Sequence, residues 1–439
     1  MAVGAAPSPS GGAPAAAATA HTHVLPRRTA AVVFFAFAVA YFLSALLRAV
    51  TATLSPVLTD DFALNARDLG LLAGGYFLGF AAVQLPMGTW LDRYGPRAVL
   101  LSLLSVTVLG CAVFALAGGF TGLMLARALM GVGVAACLLA PLTAFRRWLD
   151  AGAQLRANAW LMMTGSLGML AATLPVQWLV PVLGWRMLFW VITALVLVSM
   201  ALIAWLVPRW EIIATETGAA RADSSRATGQ KDPESPYTEI WANPAFRRAV
   251  PLGLVSFGGM VAIQSLWAGP WMTRVGGSTP LGAATGLFWI NLAMLFTFWG
   301  WGLLMPRLAA RGITVETLVL RLAPFSFVAL AALVLAGPAL GGANFVLLAL
   351  YCVLATPMAQ VQPVLAMAFP SALAGRALSA YNLVIFIGIF AVQWGIGLGA
   401  DAFESLGLSP IDALRAAMAV FGVLSLASWA LYALTARRG

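Results

Sequence analysis

Apolar runs about twenty residues long, each ended by a short polar or charged break, recur along almost the whole chain. A run of that length matches a helix crossing the ~30 Å hydrocarbon of a bilayer. The pattern predicts membrane-spanning helices near residues 30–56, 68–88, 98–117, 120–143, 154–181 and 186–207. A second set is predicted near 248–272, 282–304, 315–336, 343–366, 376–398 and 412–435. Residues 208–247 are the one long charged stretch, with Arg209, Glu211, Arg221, Asp223, Arg226, Lys231 and Glu234, and they divide the spans six and six. Residues 1–26 are Ala, Pro, Ser and Gly with almost no charge, a composition that predicts disorder. They do not read as a signal peptide, because Arg27 and Arg28 follow them and the next apolar run is too long. The predicted organisation is a disordered tail over 1–28, six-helix units over 29–207 and 248–436, and a central linker over 208–247. The fold class is an all-α membrane protein of 12 transmembrane helices.

Composition agrees with this pattern. Of 439 residues, 62% are hydrophobic and 9% charged, and mean hydropathy is +0.92. A soluble domain carries about 25% charged residues. The net charge of +10 does not point to nucleic acid, since the basic residues stand singly or in pairs between apolar runs. The large partner is the lipid bilayer. Placing the N-terminus in the cytoplasm gives that side Arg27, Arg28, Arg93, Arg97, Arg146, Arg147, Arg156, the six basic residues of the linker, Arg307, Arg311, Arg376, Arg437 and Arg438. The other side receives Arg67, Arg186, Arg274 and Arg415, a division of 18 against 4 that predicts both termini in the cytoplasm of a bacterial inner membrane.

Residues 88–97, Gly-Thr-Trp-Leu-Asp-Arg-Tyr-Gly-Pro-Arg, set one acid and two bases on a short loop between two apolar runs. The spacing of Gly88, Asp92, Arg93, Gly95 and Arg97 resembles the loop between the second and third helices of the major facilitator superfamily (MFS), Gly-x-x-x-Asp-Arg-x-Gly-x-Arg. Arg127-x-x-x-Gly131-x-Gly133 and Gly184-Trp185-Arg186 are further marks of that family, as is Gln-Ser-Leu-Trp-Ala-Gly-Pro-Trp at 264–271. The resemblance covers about residues 30–435. Residues 302–312 hold a weak second copy of the loop, in which Arg307 is kept while Pro306 stands where Asp92 would align. Arg156, twelve residues before Gly168, mirrors Arg376, twelve before Gly388. The resemblance implies two six-helix bundles with pseudo-two-fold symmetry, a substrate site at the midplane between them, and transport by alternating access. It also implies that the Asp92 loop acts as a gating latch on the cytoplasmic side, together with Gly88, Arg93, Gly95, Arg97 and Arg307.

Candidate binding chemistry centres on two arginines inside predicted spans. Arg48 lies eighteen residues into the first, among Leu46, Leu47, Ala49 and Val50, where lipid exposure would be costly. It either faces the cavity, as a planar charged fork suited to carboxylate or phosphate, or serves as an interfacial or structural arginine. Arg127 has the same two readings, and the resemblance implies a position near the cavity and a link to proton transfer. All fifteen acids fall in loops, tails or helix ends, so there is no embedded carboxylate of the kind that loads a proton or receives a cation. The fifth span has Gly165, Gly168 and Pro175 but no Gly-Pro pair of the antiporter type. Tyr41, Tyr76, Gln264, Trp267, Asn291, Gln360 and Asn382 complete the candidate substrate site, either as ligands or as helix-bridging polar groups. Gln84, Gln362, Gln393, Trp394 and Trp271 have the same polar or aromatic character, Trp271 with a place in the outer aromatic belt as its other reading.

Cys111, Cys137 and Cys352 fall in apolar runs, the histidines His21 and His23 lie in the tail, and no Met-x-x-x-Met pair occurs. No cofactor, metal site or enzymatic motif is therefore expected. The favoured function is uptake of a small organic anion by a monomeric secondary transporter, with a proton as the candidate coupling ion. The alternatives are an exporter of amphipathic compounds and a non-transporting sensor on the same scaffold.

Overall fold

The computed structural model describes residues 25–209 and 237–436. Residues 1–24 of the tail predicted over 1–28 and the centre of the predicted linker, 210–236, lie outside the described residues, and α1 begins at Arg27, inside the predicted tail. All regular structure among the described residues is helical.

Nine described helices are long and apolar enough to cross a membrane by length and composition. Three features raise the count to twelve spans. Ala66–Ala82 is a separate helix of only 17 residues that continues after Val83. Ala151–Ala171 is less apolar than its neighbours, being interrupted by Gln154, Arg156 and Asn158. Val315–Met367 is a single run that doubles back at Gly337–Ala343. The spans are α1 (Arg27–Phe62), α2 (66–94), α3 (96–116), α4 (Phe120–Trp148), α5 (151–183), α6 (185–206), α7 (Pro244–Val275), α8 (Pro280–Ala310), α9 (Val315–Ala336), α10 (344–367), α11 (Ser371–Ser405) and α12 (Pro410–Ala436).

Glycines make two of the breaks. Gly95 (φ +76°) separates α2 from α3, and Gly184 (φ +73°) separates α5 from α6, at a φ that a side chain would strain. Most helices outrun the hydropathy signal by several residues, because the backbone ladder continues past the edge of the hydrocarbon. At the start of α7 the difference is a correction. Asn243 accepts from the N–H groups of Ala245 and Phe246, with Pro244 at the first helical position, so the helix begins inside the stretch expected to be linker. A short helix, Tyr237–Ala242, precedes it.

The internal repeat is visible in the packing. A Cβ on Gly168 of α5 would come within 2.3 Å of the Phe42 carbonyl oxygen on α1, and one on Gly388 of α11 within 2.0 Å of the Leu254 carbonyl oxygen on α7. Equivalent glycines thus let equivalent helix pairs meet backbone to backbone, the small-residue packing that lipid favours.

Arg27 and Ala436 lie at one end of the bundle, here the termini end. The two halves meet at the opposite, far end. There Gly70 faces the Gln393 carbonyl, Gly74 the Phe390 side chain, Gly397 the Ala66 carbonyl and Gly269 the Ala52 carbonyl. Asp401 at the end of α11 reinforces this closure by accepting from the N–H groups of Ala66 and Arg67, each at 3.1 Å, in the first turn of α2. A carboxylate at a helix N-terminus satisfies two otherwise orphaned donors and complements the helix dipole. Because it spans the halves, this bond exists only while the far end is shut. Asp401→Ala is therefore expected to favour opening there by about tenfold, given the ~1.5–3 kcal/mol of a hydrogen bond to a charged group. Maleimide labelling of Ser55→Cys, in a background lacking the three native cysteines, reads the change; an unaltered rate would remove Asp401 from the closure.

Candidate functional site

Helical periodicity assembles a central cavity. On α1, Tyr41, Ser44 and Arg48 stand at i, i+3 and i+7, and on α2, Tyr76, Phe80 and Gln84 stand at i, i+4 and i+8, so each set shares one face. Tyr41, Ser44, Arg48, Phe80 and Gln84 line a cavity of about 90 Å³ with Val134, Ala135, Leu138 and Leu139 of α4 and Asn382 and Phe386 of α11. Phe80 and Phe386 stack across the halves with ring centroids 4.2 Å apart.

Arg48 takes the cavity-facing alternative. It is part of the lining, beside the phenols of Tyr41 and Tyr76, and its Nε has no partner within the protein. Tyr76 forms the layer behind, its hydroxyl donating to the Ser44 carbonyl at 3.1 Å. Arg127 lies deeper still. It is 1% exposed, donates from Nη1 to the Leu47 carbonyl at 2.8 Å, and holds its guanidinium 4.8 Å from the centre of the Tyr76 ring. It braces α1, α2 and α4 and is not part of the lining. Its other nitrogens, Nε and Nη2, have no protein partner. Two cations thus share the bundle interior, and among the described residues no Asp or Glu is buried.

Other predicted ligands are engaged elsewhere. Gln264 donates to Asn291 Oδ1 at 3.0 Å, and Asn291 donates to the Leu287 carbonyl at 2.9 Å, so this pair joins α7 to α8 outside the cavity. Trp267 is fully buried and donates to the Gln393 carbonyl at 3.1 Å, within the far-end closure. Trp271 is also fully buried, bonded to Asn344 Oδ1 at 2.8 Å, which removes it from an aromatic belt. The three side chains of α7 thus bond to three different helices, α8, α11 and α10. Gln360 is half-buried and outside the lining, whereas Gln362 donates to Oδ1 of the lining residue Asn382 at 2.6 Å.

The lining also holds Ser44, Phe80 and Phe386, which the sequence reading did not single out, and Gln84, which it did. Their signal was available as helical spacing from Arg48, Tyr76 and Asn382. Gln84 is distinctive. It is 1% exposed, and neither its Oε1 nor its Nε2 has a partner within the protein.

The expected loop over 88–97 is corrected: residues 88–94 continue α2, Gly95 alone makes the break and Arg97 donates to the Ala204 carbonyl of α6, while Asp92 and Arg93 are exposed. Gly88 faces open space, and Arg307 in the second copy is exposed. The Gly184-Trp185-Arg186 mark fastens the far end: Trp185 donates to Asp61 at 2.6 Å, and Arg186 stacks 4.1 Å from the Trp185 ring and donates to the Ala117 carbonyl. No cluster of three or more His, Cys, Asp or Glu capable of holding a metal occurs among the described residues.

The family model that matches this chain is that of the Major Facilitator Superfamily, over residues 37–393. Among curated relatives, a hexuronate transporter of Bacillus subtilis is 33% identical over 86 residues, 20% of either chain. The inner membrane transport protein YajR of Escherichia coli is 31% identical over 169 residues, 37% of this chain and 36% of its own. A probable sulfoacetate transporter of Cupriavidus necator is 25% identical over 154 residues, 35% of this chain and 36% of its own. The chain therefore matches only about a fifth to a third of the length of these relatives. Similarity to solved structures runs over nearly the whole chain. A bacterial homologue of the human lysosomal transporter Spinster superposes with a TM-score of 0.74 at 18% identity, covering 94% of this chain and 98% of that one. A D-xylose-proton symporter gives 0.70 at 15%, covering 92% and 97%.

Proposed function

Because the chain belongs to the Major Facilitator Superfamily, we propose that it is a secondary active transporter taking up a small organic anion across a bacterial inner membrane. The carrying observation is the pair of interior arginines without a buried acid, with Arg48 in the cavity lining. A desolvated guanidinium is costly unless paired. A carboxylate from the substrate would accept a bidentate pair from its fork, which strengthens as water leaves the site. The relatives named for hexuronate and sulfoacetate, both organic acids, support the same substrate class.

Both termini face the cytoplasm in this reading, because Arg67, Arg186, Arg274 and Arg415 are the basic residues of the far end while the termini end carries the majority. The structure then corresponds to the cytoplasm-open state. The exposed Asp92 is an unfastened latch, which closes when the far end opens. Each chain holds its own cavity and works as a monomer. With no embedded carboxylate, a coupling proton rides on the acid group of the substrate.

Purified protein in proteoliposomes, under an inward proton gradient, should accumulate labelled galacturonate. Unlabelled acids should compete, whereas galactose and organic cations should not. Accumulation of ethidium, with no response to acids, would instead support the exporter of amphipathic compounds, whose case is the apolar wall of Val134, Leu138, Leu139, Phe80 and Phe386.

A further inference from the structure

We infer that Gln84 selects substrates that carry a hydroxyl group beside their carboxylate, so that the transported anion is a hydroxy acid. This rests on the reading of Arg48 as the anion partner. Gln84 stands two helical turns from Tyr76 on α2 and lines the same cavity as Arg48, Tyr41 and Ser44. It is 99% buried, yet both ends of its amide lack a partner within the protein. Other buried amides have at least one end engaged, although the Gln393 oxygen is also open. Gln264 and Asn291 bond to each other, Asn344 donates to the Gly337 and Gly341 carbonyls and accepts from Trp271, and Gln393 donates to Ser265. Among the described residues, Gln84 is the buried amide left open at both its oxygen and its nitrogen.

A primary amide presents one acceptor and one donor side by side. A substrate hydroxyl answers both, donating to Oε1 while accepting from Nε2. A bare carboxylate has only acceptors and can satisfy Nε2 alone, leaving Oε1 desolvated and unmatched. With the carboxylate on the Arg48 fork, the amide is therefore free to read the rest of the molecule. Sites built to bond a substrate hydroxyl reject the analogue without it far more strongly than apolar pockets reject a missing methylene. Asn382 differs in that its oxygen is already engaged, accepting from Gln362.

The test uses full-length protein in detergent and thermal-shift titration with matched acids: glycolate and acetate, lactate and propanoate, galacturonate with neutral galactose. In the wild-type protein, glycolate should bind at least tenfold more tightly than acetate and lactate than propanoate, and galacturonate more tightly than galactose, which lacks the carboxylate. In Gln84→Leu the preference should fall below about twofold while affinity for acetate and propanoate stays within about threefold. The ligand-free melting temperature of the variant should not drop, since an unsatisfied buried amide has been replaced by an apolar group; a purely structural glutamine would show the reverse. Gln84→Met, of similar length and shape, repeats the measurement should the leucine variant not fold. Equal binding of the matched acids by wild type, with binding lost in Arg48→Ala, would overturn the selection by Gln84 and leave the anion reading intact. A preference that persists in both variants would also overturn it. Failure of every acid to bind, or galactose binding as well as galacturonate, would overturn the anion reading and this inference with it.

Discussion

Replacing Arg48 by alanine is expected to reduce accumulation of an acid substrate at least about thirtyfold while leaving the protein folded. Arg48 is the charged residue of the cavity lining, and its Nε has no protein partner to lose. Removing one member of a desolvated, hydrogen-bonded charge pair costs about 2–5 kcal/mol of binding. Because no acid pairs with the cation in the substrate-free protein, its removal relieves a desolvation penalty that offsets the lost contacts to Tyr41 and Tyr76, so the melting temperature should fall little. Arg48→Lys keeps the charge but not the planar fork, and should retain a small fraction of transport with weakened binding. Arg127 supplies the contrast. It is bonded to Leu47 and stacked on Tyr76, so Arg127→Ala should lower stability as well as transport. Proteoliposome uptake and thermal melting, measured on all three variants, separate the two roles. Normal uptake by Arg48→Ala would eliminate the anion site.

The architecture was largely legible because a membrane imposes its own arithmetic: one apolar run, one span. Val315–Ala336 coincides with its expected range to the residue. Discrepancies gather where local chemistry overrides hydropathy. The Asn243–Pro244 cap starts α7 four residues before the apolar run, and α1 continues through Pro56 to an αL residue at Ala63. The site was legible only in part. Arg48, Tyr41 and Asn382 were chosen as polar residues in apolar spans, and they line the cavity. The same criterion chose Gln264, Trp267 and Asn291, which spend their polarity on one another and on backbone carbonyls. Sequence reports that a polar group lies inside a span; it does not report whether a neighbouring helix satisfies that group. For the pair Gln264 and Gln84 that difference decides everything, since the first has a partner on α8 and the second has none in the protein.

The glycines of Arg127-x-x-x-Gly131-x-Gly133 carry the second large expected effect, because they couple the fold to the cavity. A Cβ on Gly131 would lie 1.9 Å from the carbonyl oxygen of Tyr76, and one on Gly133 would lie 2.2 Å from Thr107 Oγ1 and 2.4 Å from its backbone nitrogen. One turn of α4 is thus pressed against α2 by one glycine and against α3 by the other, with Arg127 a turn away gripping α1. The obstacle at Gly131 is backbone, which cannot rotate aside, so Gly131→Ala must drive α2 and α4 apart by about 1 Å. Overpacking of this kind costs about 1–3 kcal/mol. The displaced segment carries Tyr76, which touches both arginines, together with Phe80 and Gln84 of the lining. Gly131→Ala should therefore yield folded protein with a lower melting temperature and transport reduced at least tenfold. Gly131→Leu should give no monodisperse peak on size-exclusion chromatography in detergent. Gly300→Ala on α8 is the matched control, since nothing lies within 4 Å of its added carbon and the substitution favours a helix. Wild-type transport by Gly131→Leu would mean that α2 and α4 do not hold this spacing, and the cavity built on it would have to be redrawn.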